Sequence, residues 1–323
     1  MTAFGGRWRL QHGPFARTRI PGAQRKGWTL LVQGVDLYLP PVAALRERFR
    51  FISDARLDDV MVSYASDGGG VGPHVDSYDV FLLQVQGRRR WRISRQRDLD
   101  LVPGLPLKIL TDFRAEAEWV LEPGDLLYLP PGVAHEGSAV GGGCITCSVG
   151  FRAPPYRELV DPWLDALAES AHGRAALRAL LTDPATRATP HPAQLPMPMI
   201  DAAHRRLQAV RPTRAHAVAA LLAVLSEPKP AVTFAAPARP LSPARWARAA
   251  ATRGVRLDLR TRLLYRAGQV GINGEVLPID RDERALLARL ADQRALPPGQ
   301  RRLSGSALAR LHGWYVDGWL HLA

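Results

Sequence analysis

What this chain of 323 residues lacks narrows it first. Cysteine occurs only at Cys144 and Cys147, so no disulfide framework is in play. C-x-x-C invites a zinc or redox reading, but no second pair exists to complete a tetrahedral site. In a strand the two thiols would face opposite ways, and both are expected to pack in the core. Long apolar runs are missing as well. The longest, Ala217 to Leu225, falls far short of the ~20 residues a membrane span needs. The opening MTAFGGRWRLQHGPF lacks a basic-then-apolar leader pattern. A cytoplasmic protein, without a membrane partner, is the expectation.

Lysine is nearly absent too. It stands only at Lys26, Lys108 and Lys229, so arginine supplies 40 of the 43 basic residues against 30 acidic ones. The net charge of +13 is unevenly spread. Up to Val160 there are 20 basic and 17 acidic residues; from Asp161 onward there are 23 and 13. A polyanionic neighbour for the C-terminal half and a merely solvated basic surface both fit, so nucleic-acid contact ranks as a secondary expectation.

What is present falls into three stretches. Up to about Pro154 short apolar runs (DVMVSYAS, DVFLLQVQ, RRWRIS, EWVL, DLLYLP, CITCSVGF) alternate with the turn signals DGGG, QGRR, EPGD, PPG and GGG. That pattern predicts many short strands in a closed or sandwiched sheet. From Tyr156 the period becomes helical in YRELVDPWLDALAESA, GRAALRALL and PTRAHAVAALLAVLSE, with DPATRATPHPAQLPMPMI as a Pro-rich connection. The stretch EPKPAVTFAAPARPLSP reads as a linker ending near Pro243. Beyond it come strand-like VRLDLRTRLLY, a hairpin at GINGEV, helices RDERALLARLADQ and SGSALARLHG, and strand-like WYVDGWLHLA, an order that fits a winged-helix-like module.

The chemistry concentrates in VGPHVDSYDVFLLQVQGRRRWRI, residues 71–93. Residues i and i+2 of a strand face the same way, so His74 and Asp76 project together. His135 lies after another strand and a Pro-Pro-Gly turn, in LLYLPPGVAHEGSAV. Two imidazoles and a carboxylate on facing strands make a facial triad, a donor set suited to Fe(II) with open positions for a bidentate cosubstrate and dioxygen. An isolated H-x-D means little alone. Here it follows the glycine-rich GGGVGP, and strands fill the interval to His135. In RRRWRI, Arg89 shares its face with Trp91 and Ile93, which places a guanidinium inside and calls for an anionic partner. The distal carboxylate of a dicarboxylate or an internal Asp or Glu would serve. Ser63, on one face with Met61 in MVSYAS, is placed to donate to that carboxylate.

These motifs, with EPGDLLYLPPGVAHEG and SVGFRAP, resemble the bacterial JmjC-type ribosomal oxygenases, Fe(II)- and 2-oxoglutarate-dependent arginine hydroxylases of a large-subunit ribosomal protein. The likeness is specific through residues 54–155 and weaker but collinear to the C-terminus. It implies an α+β chain: a double-stranded β-helix (JmjC/cupin barrel) over 1–155, a helical dimerisation region with its Pro-rich linker over 156–243, and a winged-helix-like domain over 244–323. By that resemblance His74, Asp76 and His135 fall on the iron ligands. Arg89 falls on the residue that holds 2-oxoglutarate, Met61 and Ser63 fall on the pocket lining, and Ser148 is a further candidate. A homodimer and a ribosomal protein substrate are implied in the same way. Asp67, Tyr78 and Asp79 lie near enough in sequence to suggest the mouth for an arginine-bearing loop. Family members carry a further segment before HGPF, so a truncated start and a trimmed domain both stay open, with stability rather than chemistry affected. Two rivals remain: a metal cupin acting on a small molecule, as dioxygenase or isomerase, and a cupin sensor joined to a DNA-binding winged helix.

Overall fold

The computed structural model describes residues 2–4, 7–181, 191–266, 268–299, 303 and 305–323. The start of the Pro-rich connection, up to residue 190, and Ser304 of SGSALARLHG lie outside them. The chain divides into two compact units, Met1–Ala153 and Pro154–Ala323.

The first unit contains β1 (Thr2–Phe4), β2 (Arg7–Arg9), β3 (Thr29–Val32), α1 (Pro40–Glu47), β4 (Leu57–Ala65), β5 (His74–Val75), β6 (Val80–Ser94), β7 (Ala117–Leu121), β8 (Leu126–Leu129) and β9 (Ala134–Phe151). The short runs DVFLLQVQ and RRWRIS, separate in sequence pattern, form one 15-residue strand, β6. CITCSVGF is the end of an 18-residue strand, β9. These two long strands pair antiparallel and form the spine of a seven-stranded sheet in the order β3-β4-β9-β6-β7. β5 pairs with β9 and β8 with β6 off this path.

The expected closed double-stranded β-helix barrel is not what the chain builds. Closure requires the outermost strands to pair. β3 and β7 end the sheet path, and among the described residues no pairing joins them. The physical reason lies in the spine. Its strands accommodate curvature by bending: the β6–β9 register shifts between Gln84 and Gln86 and again between Gln86 and Arg88. Gly87 (φ 66°), Gly141 (φ 79°) and Gly143 (φ 71°) take the left-handed backbone such bulges require. The sheet curls without closing.

The bend divides the apolar packing. On one face Phe49, Leu57, Val60, Cys147, Val149 and Phe151 cluster, with Val42 and Leu45 of α1 packed against them. Val80, Leu82, Trp91 and Leu129 form a second cluster, and Ala65, Ala139 and Cys144 a third. Both thiols are free and buried, in different clusters, as core packing requires.

The second unit begins with α2 (Val160–Glu169), α3 (Ala171–Leu177), α4 (Met197–Ala209) and α5 (Arg214–Ser226). Thr213 and His216 form a capping box at the start of α5. Next come α6 (Pro243–Arg253), β10 (Val255–Leu257), β11 (Leu263–Arg266), β12 (Gln269–Ile272), β13 (Glu275–Pro278), α7 (Arg284–Gln293), β14 (Ala295–Leu296), α8 (Gly305–Val316) and β15 (Leu320–Leu322). β10 lies between β14 and β15, while β11-β12-β13 form a separate meander. Asn273 and Gly274, both at positive φ, make the tight turn between β12 and β13. One departure from the sequence pattern is local. Trp314, Tyr315 and Val316 finish α8 rather than opening a strand, because Trp314 and Tyr315 share the buried helical stripe of Ala307 and Leu311.

Candidate metal and cosubstrate site

The β5–β9 ladder sets His74 directly opposite His135. Their rings lie 4.2 Å apart between centroids, and Asp76 closes the triangle. His74 Nε2 is 4.0 Å from Asp76 Oδ1, and His135 Nε2 is 3.7 Å from Asp76 Oδ2. One ligand atom from each residue lies within 4.8 Å of the other two. One ion with bonds of about 2.1 Å spans that gap after small side-chain rotations.

The surroundings fix which ring nitrogen is available. His74 Nδ1 is 2.9 Å from the Gly72 carbonyl, and His135 Nδ1 is 3.0 Å from that of Val133. A proton on each Nδ1 donates to its carbonyl and leaves the Nε2 lone pair facing Asp76, the arrangement metal-binding histidines use. Burial, with His74 alongside, pushes the His135 imidazolium down to about 4, so the ring is neutral near neutral pH. Burial and the neighbouring Asp76 charge push the Tyr78 phenol up to about 12, so it stays protonated. Among the described residues these three side chains form the one cluster of His, Cys, Asp or Glu with metal-ligating geometry.

Along the same face of the sheet, Trp91 is opposite Gly137 and Arg89 opposite Ala139. Arg89 is 2% exposed, while Arg90 is exposed and pairs with Glu118 at 3.2 Å. The strand period therefore splits the arginine run as expected. Arg89 Nη1 donates to Ser63 Oγ at 3.1 Å and to Thr146 Oγ1 at 3.4 Å, and Nη2 donates to the Gly137 carbonyl at 3.2 Å. Its guanidinium carbon lies 5.1 Å from the Trp91 ring centre. None of these partners is a carboxylate, and Nε has no hydrogen-bond partner. Burial lowers the guanidinium pKa from its ordinary value. A buried cation surrounded by neutral acceptors is poised to gain from an anion. Gly137 makes room for it: a Cβ there would meet Arg89 Nε at 2.8 Å and Trp91 at 2.7 Å.

Ser63 thus contacts Arg89, whereas Met61 lies one pair further along and is half-buried. Ser148 is opposite both Met61 and Leu82 and is 7% exposed. Of the three residues suggested for the mouth, Tyr78 lies near enough to Asp76 to feel its charge. Asp79 accepts from Tyr128 Oη at 2.7 Å and Arg56 Nη2 at 3.2 Å. Asp67 is spent elsewhere, on Lys26 and the Gly141 amide. Sequence reasoning missed Thr146, Gln84 and Gly137. Their signals were present only as Thr146 between the two cysteines and as a glycine two residues after a histidine.

Comparison with known proteins now adds to this geometry. A JmjC domain profile matches residues 44–159, and a ROXA-like winged-helix profile matches residues 207–321. These two matches define the class. The Escherichia coli ribosomal protein uL16 3-hydroxylase is 45% identical over 161 residues, 50% of this chain and 42% of that protein. A probable ribosomal oxygenase of Haemophilus influenzae is 37% identical over 157 residues, 48% of this chain and 38% of that protein. The match thus spans less than half the length of these curated relatives. The solved structure of E. coli YcfD is similar over 99% of this chain and 85% of that one, with a TM-score of 0.80 and 32% identity. YcfD, described as a ribosomal oxygenase, has also been solved with cobalt and 2-oxoglutarate, again at 32% identity, with a TM-score of 0.78 over 99% and 84% of the two chains. The chain belongs to the family of JmjC-domain bacterial ribosomal oxygenases.

Proposed function

We propose that this chain is an Fe(II)- and 2-oxoglutarate-dependent hydroxylase of a ribosomal protein, with an arginine side chain as its target. One observation carries the reading: a buried guanidinium whose recorded partners are all neutral shares a sheet face with a His/Asp/His donor set. His74, Asp76 and His135 are the residues that would hold iron, and their two-nitrogen, one-carboxylate chemistry fits Fe(II). Arg89 and Ser63 would hold the far carboxylate of 2-oxoglutarate, with Met61 lining the approach. A relative bound to cobalt and 2-oxoglutarate supports that pairing of ligands.

Bound iron supplies the oxidative chemistry that converts 2-oxoglutarate and dioxygen to succinate and carbon dioxide while one oxygen atom enters a substrate C–H bond. The protein's residues orient and exclude. Arg89 sets the direction of the dicarboxylate, because its Nη1 and Nη2 are already tied to Ser63, Thr146 and Gly137. The Nδ1 hydrogen bonds hold both imidazoles in one tautomer. Tyr78, protonated across the physiological range, adds no second negative charge beside Asp76. Trp91 and Leu82 keep water from the inner face.

An inward arginine beside the donor set sets this reading above a metal cupin for an unrelated small molecule, which has no need of it. We assign the ligand-sensing alternative's basic half, from Asp161 onward, to secondary polyanion contact. Helices in 156–243 expose Val160, Leu164, Leu177, Ile200 and Leu207, which supports homodimerisation through that region. A cytoplasmic site of action is part of the same proposal; no helix among the described residues is long and apolar enough to cross a membrane. The test incubates iron-loaded protein with 2-oxoglutarate and ribosomal proteins. Succinate release matched by one added oxygen in a single ribosomal protein is the expected result. Neither product, or equal product from His74→Ala, overturns the proposal.

A further inference from the structure

Arg89 faces inward only because the sheet changes phase in front of it. In β6 the buried inner residues are Val80, Leu82 and Gln84, all even; beyond the double register shift they are Arg89 and Trp91, both odd. β9 shifts in the same place, from His135, Gly137 and Ala139 to Thr146 and Ser148. A strand without the bulge would carry Arg89 to the opposite face with Phe81 and Leu83.

One side chain occupies the bend. Gln84 is 1% exposed, and its Nε2 donates to the carbonyls of Gln86 at 2.8 Å and Gly87 at 3.2 Å, both within the segment where the register shifts. The same nitrogen lies 3.4 Å from Cys144 Sγ. Its Oε1 accepts from Thr146 Oγ1 at 2.9 Å, and that hydroxyl in turn accepts from Arg89 Nη1. With its proton committed to Gln84, the Thr146 hydroxyl can offer Arg89 only a lone pair. Ser63 donates to the Thr146 carbonyl at 3.4 Å and so presents its own lone pair to the same nitrogen. Donor and acceptor roles agree along the whole chain.

We infer that Gln84 and Thr146 are positioning residues for the cosubstrate: Gln84 holds the bulge that turns Arg89 inward, and Thr146 relays that constraint to the guanidinium. The inference rests on the reading of Arg89 as the 2-oxoglutarate anchor. Neither residue needs to touch the cosubstrate. Their effect is to fix in advance the direction of Arg89 Nη1, leaving less of its freedom to be lost on binding.

The test titrates 2-oxoglutarate into Mn(II)-loaded protein by calorimetry under anaerobic conditions, after a titration of Mn(II) alone. Thr146→Val, which keeps shape and removes the hydroxyl, is expected to weaken 2-oxoglutarate about tenfold. Thr146→Ser should return the affinity to near that of the wild type, and Mn(II) affinity should be the same in all three. In turnover the valine variant should raise the KM for 2-oxoglutarate while kcat is retained. Gln84→Glu keeps the size, removes both donors and sets a carboxylate beside Arg89, so it should weaken 2-oxoglutarate further; it carries the test alone if the valine variant fails to fold. Unchanged 2-oxoglutarate affinity in Thr146→Val or Gln84→Glu overturns the inference. Wild-type protein that binds Mn(II) but no 2-oxoglutarate overturns the functional reading itself, and this inference with it.

Discussion

The two units solve the problem of an interior in opposite ways. The second buries one continuous apolar cluster, from Trp246 through Leu257, Ile272, Leu287, Leu290 and Leu311 to Leu320. The first divides its apolar residues among three smaller clusters and buries Ser63, Gln84, Arg89, His135, Thr146 and Ser148 on one sheet face. Polar groups removed from water stabilise a fold only when paired, and Arg89 Nε is not. The contrast teaches where to look for the chemistry: the first unit gives up apolar packing for a polar interior, and the second keeps an apolar one.

The sharpest way to break the comparison is to exchange the two kinds of residue. Arg89→Met is expected to lower 2-oxoglutarate affinity about thirtyfold or more, since truncating one side of a buried ion pair costs roughly 2–5 kcal/mol. The same change should leave the melting temperature of the ligand-free protein unchanged or higher, because it removes an uncompensated buried charge. A fall in both would show that Arg89 is structural. Leu290→Ala should do the reverse. Leu290 is fully buried in the apolar cluster, so urea unfolding should show about 2–5 kcal/mol lost, with 2-oxoglutarate affinity intact.

A pH series sharpens the contrast from the other side. Asp258 is the second unit's strongly perturbed carboxylate. Burial alone would raise its pKa, but hydrogen bonds from Arg260 and His321 win and hold it at about 2. A carboxylate depressed on folding adds stability above its unfolded value of 3.8, lost as pH falls through that value toward 2. On the order of 2 kcal/mol should disappear across that window in urea titrations, and Asp258→Asn should flatten the change. The smallest expected effect is that of Arg90→Ala. Arg90 and Glu118 are both about half exposed, so the loss should stay under about 1 kcal/mol with 2-oxoglutarate affinity unaltered. An Arg90 effect as large as that of Arg89 would mean that the strand period does not separate them.

That separation was legible in the sequence because RRRWRI is regular strand on the far side of the bend. His74 and Asp76 were legible as i and i+2 after a glycine-rich stretch. The bend itself was not. DVFLLQVQ and RRWRIS look like two strands, since nothing in VQGR tells a hairpin from a bulge. The phase change therefore escaped notice, and with it Gln84, whose position reads as one more inner core residue. Closure failed as an expectation on related grounds: local alternation predicts strands, but which outer strands meet is decided by how the long ones curve. In the second unit the Trp-Tyr-Val of α8 looks strand-like by composition, and packing against the apolar cluster overrides that preference.

The central claim is that the His/Asp/His set and Arg89 act on one cosubstrate in one reaction. The direct test supplies isotopically heavy dioxygen and 2-oxoglutarate to the iron-loaded protein with ribosomal proteins, then locates heavy oxygen by mass spectrometry. The account predicts one heavy atom in the product hydroxyl for each succinate formed, and none with His135→Ala. Hydroxylation that persists without 2-oxoglutarate, or no label in any ribosomal protein while succinate accumulates, would contradict it.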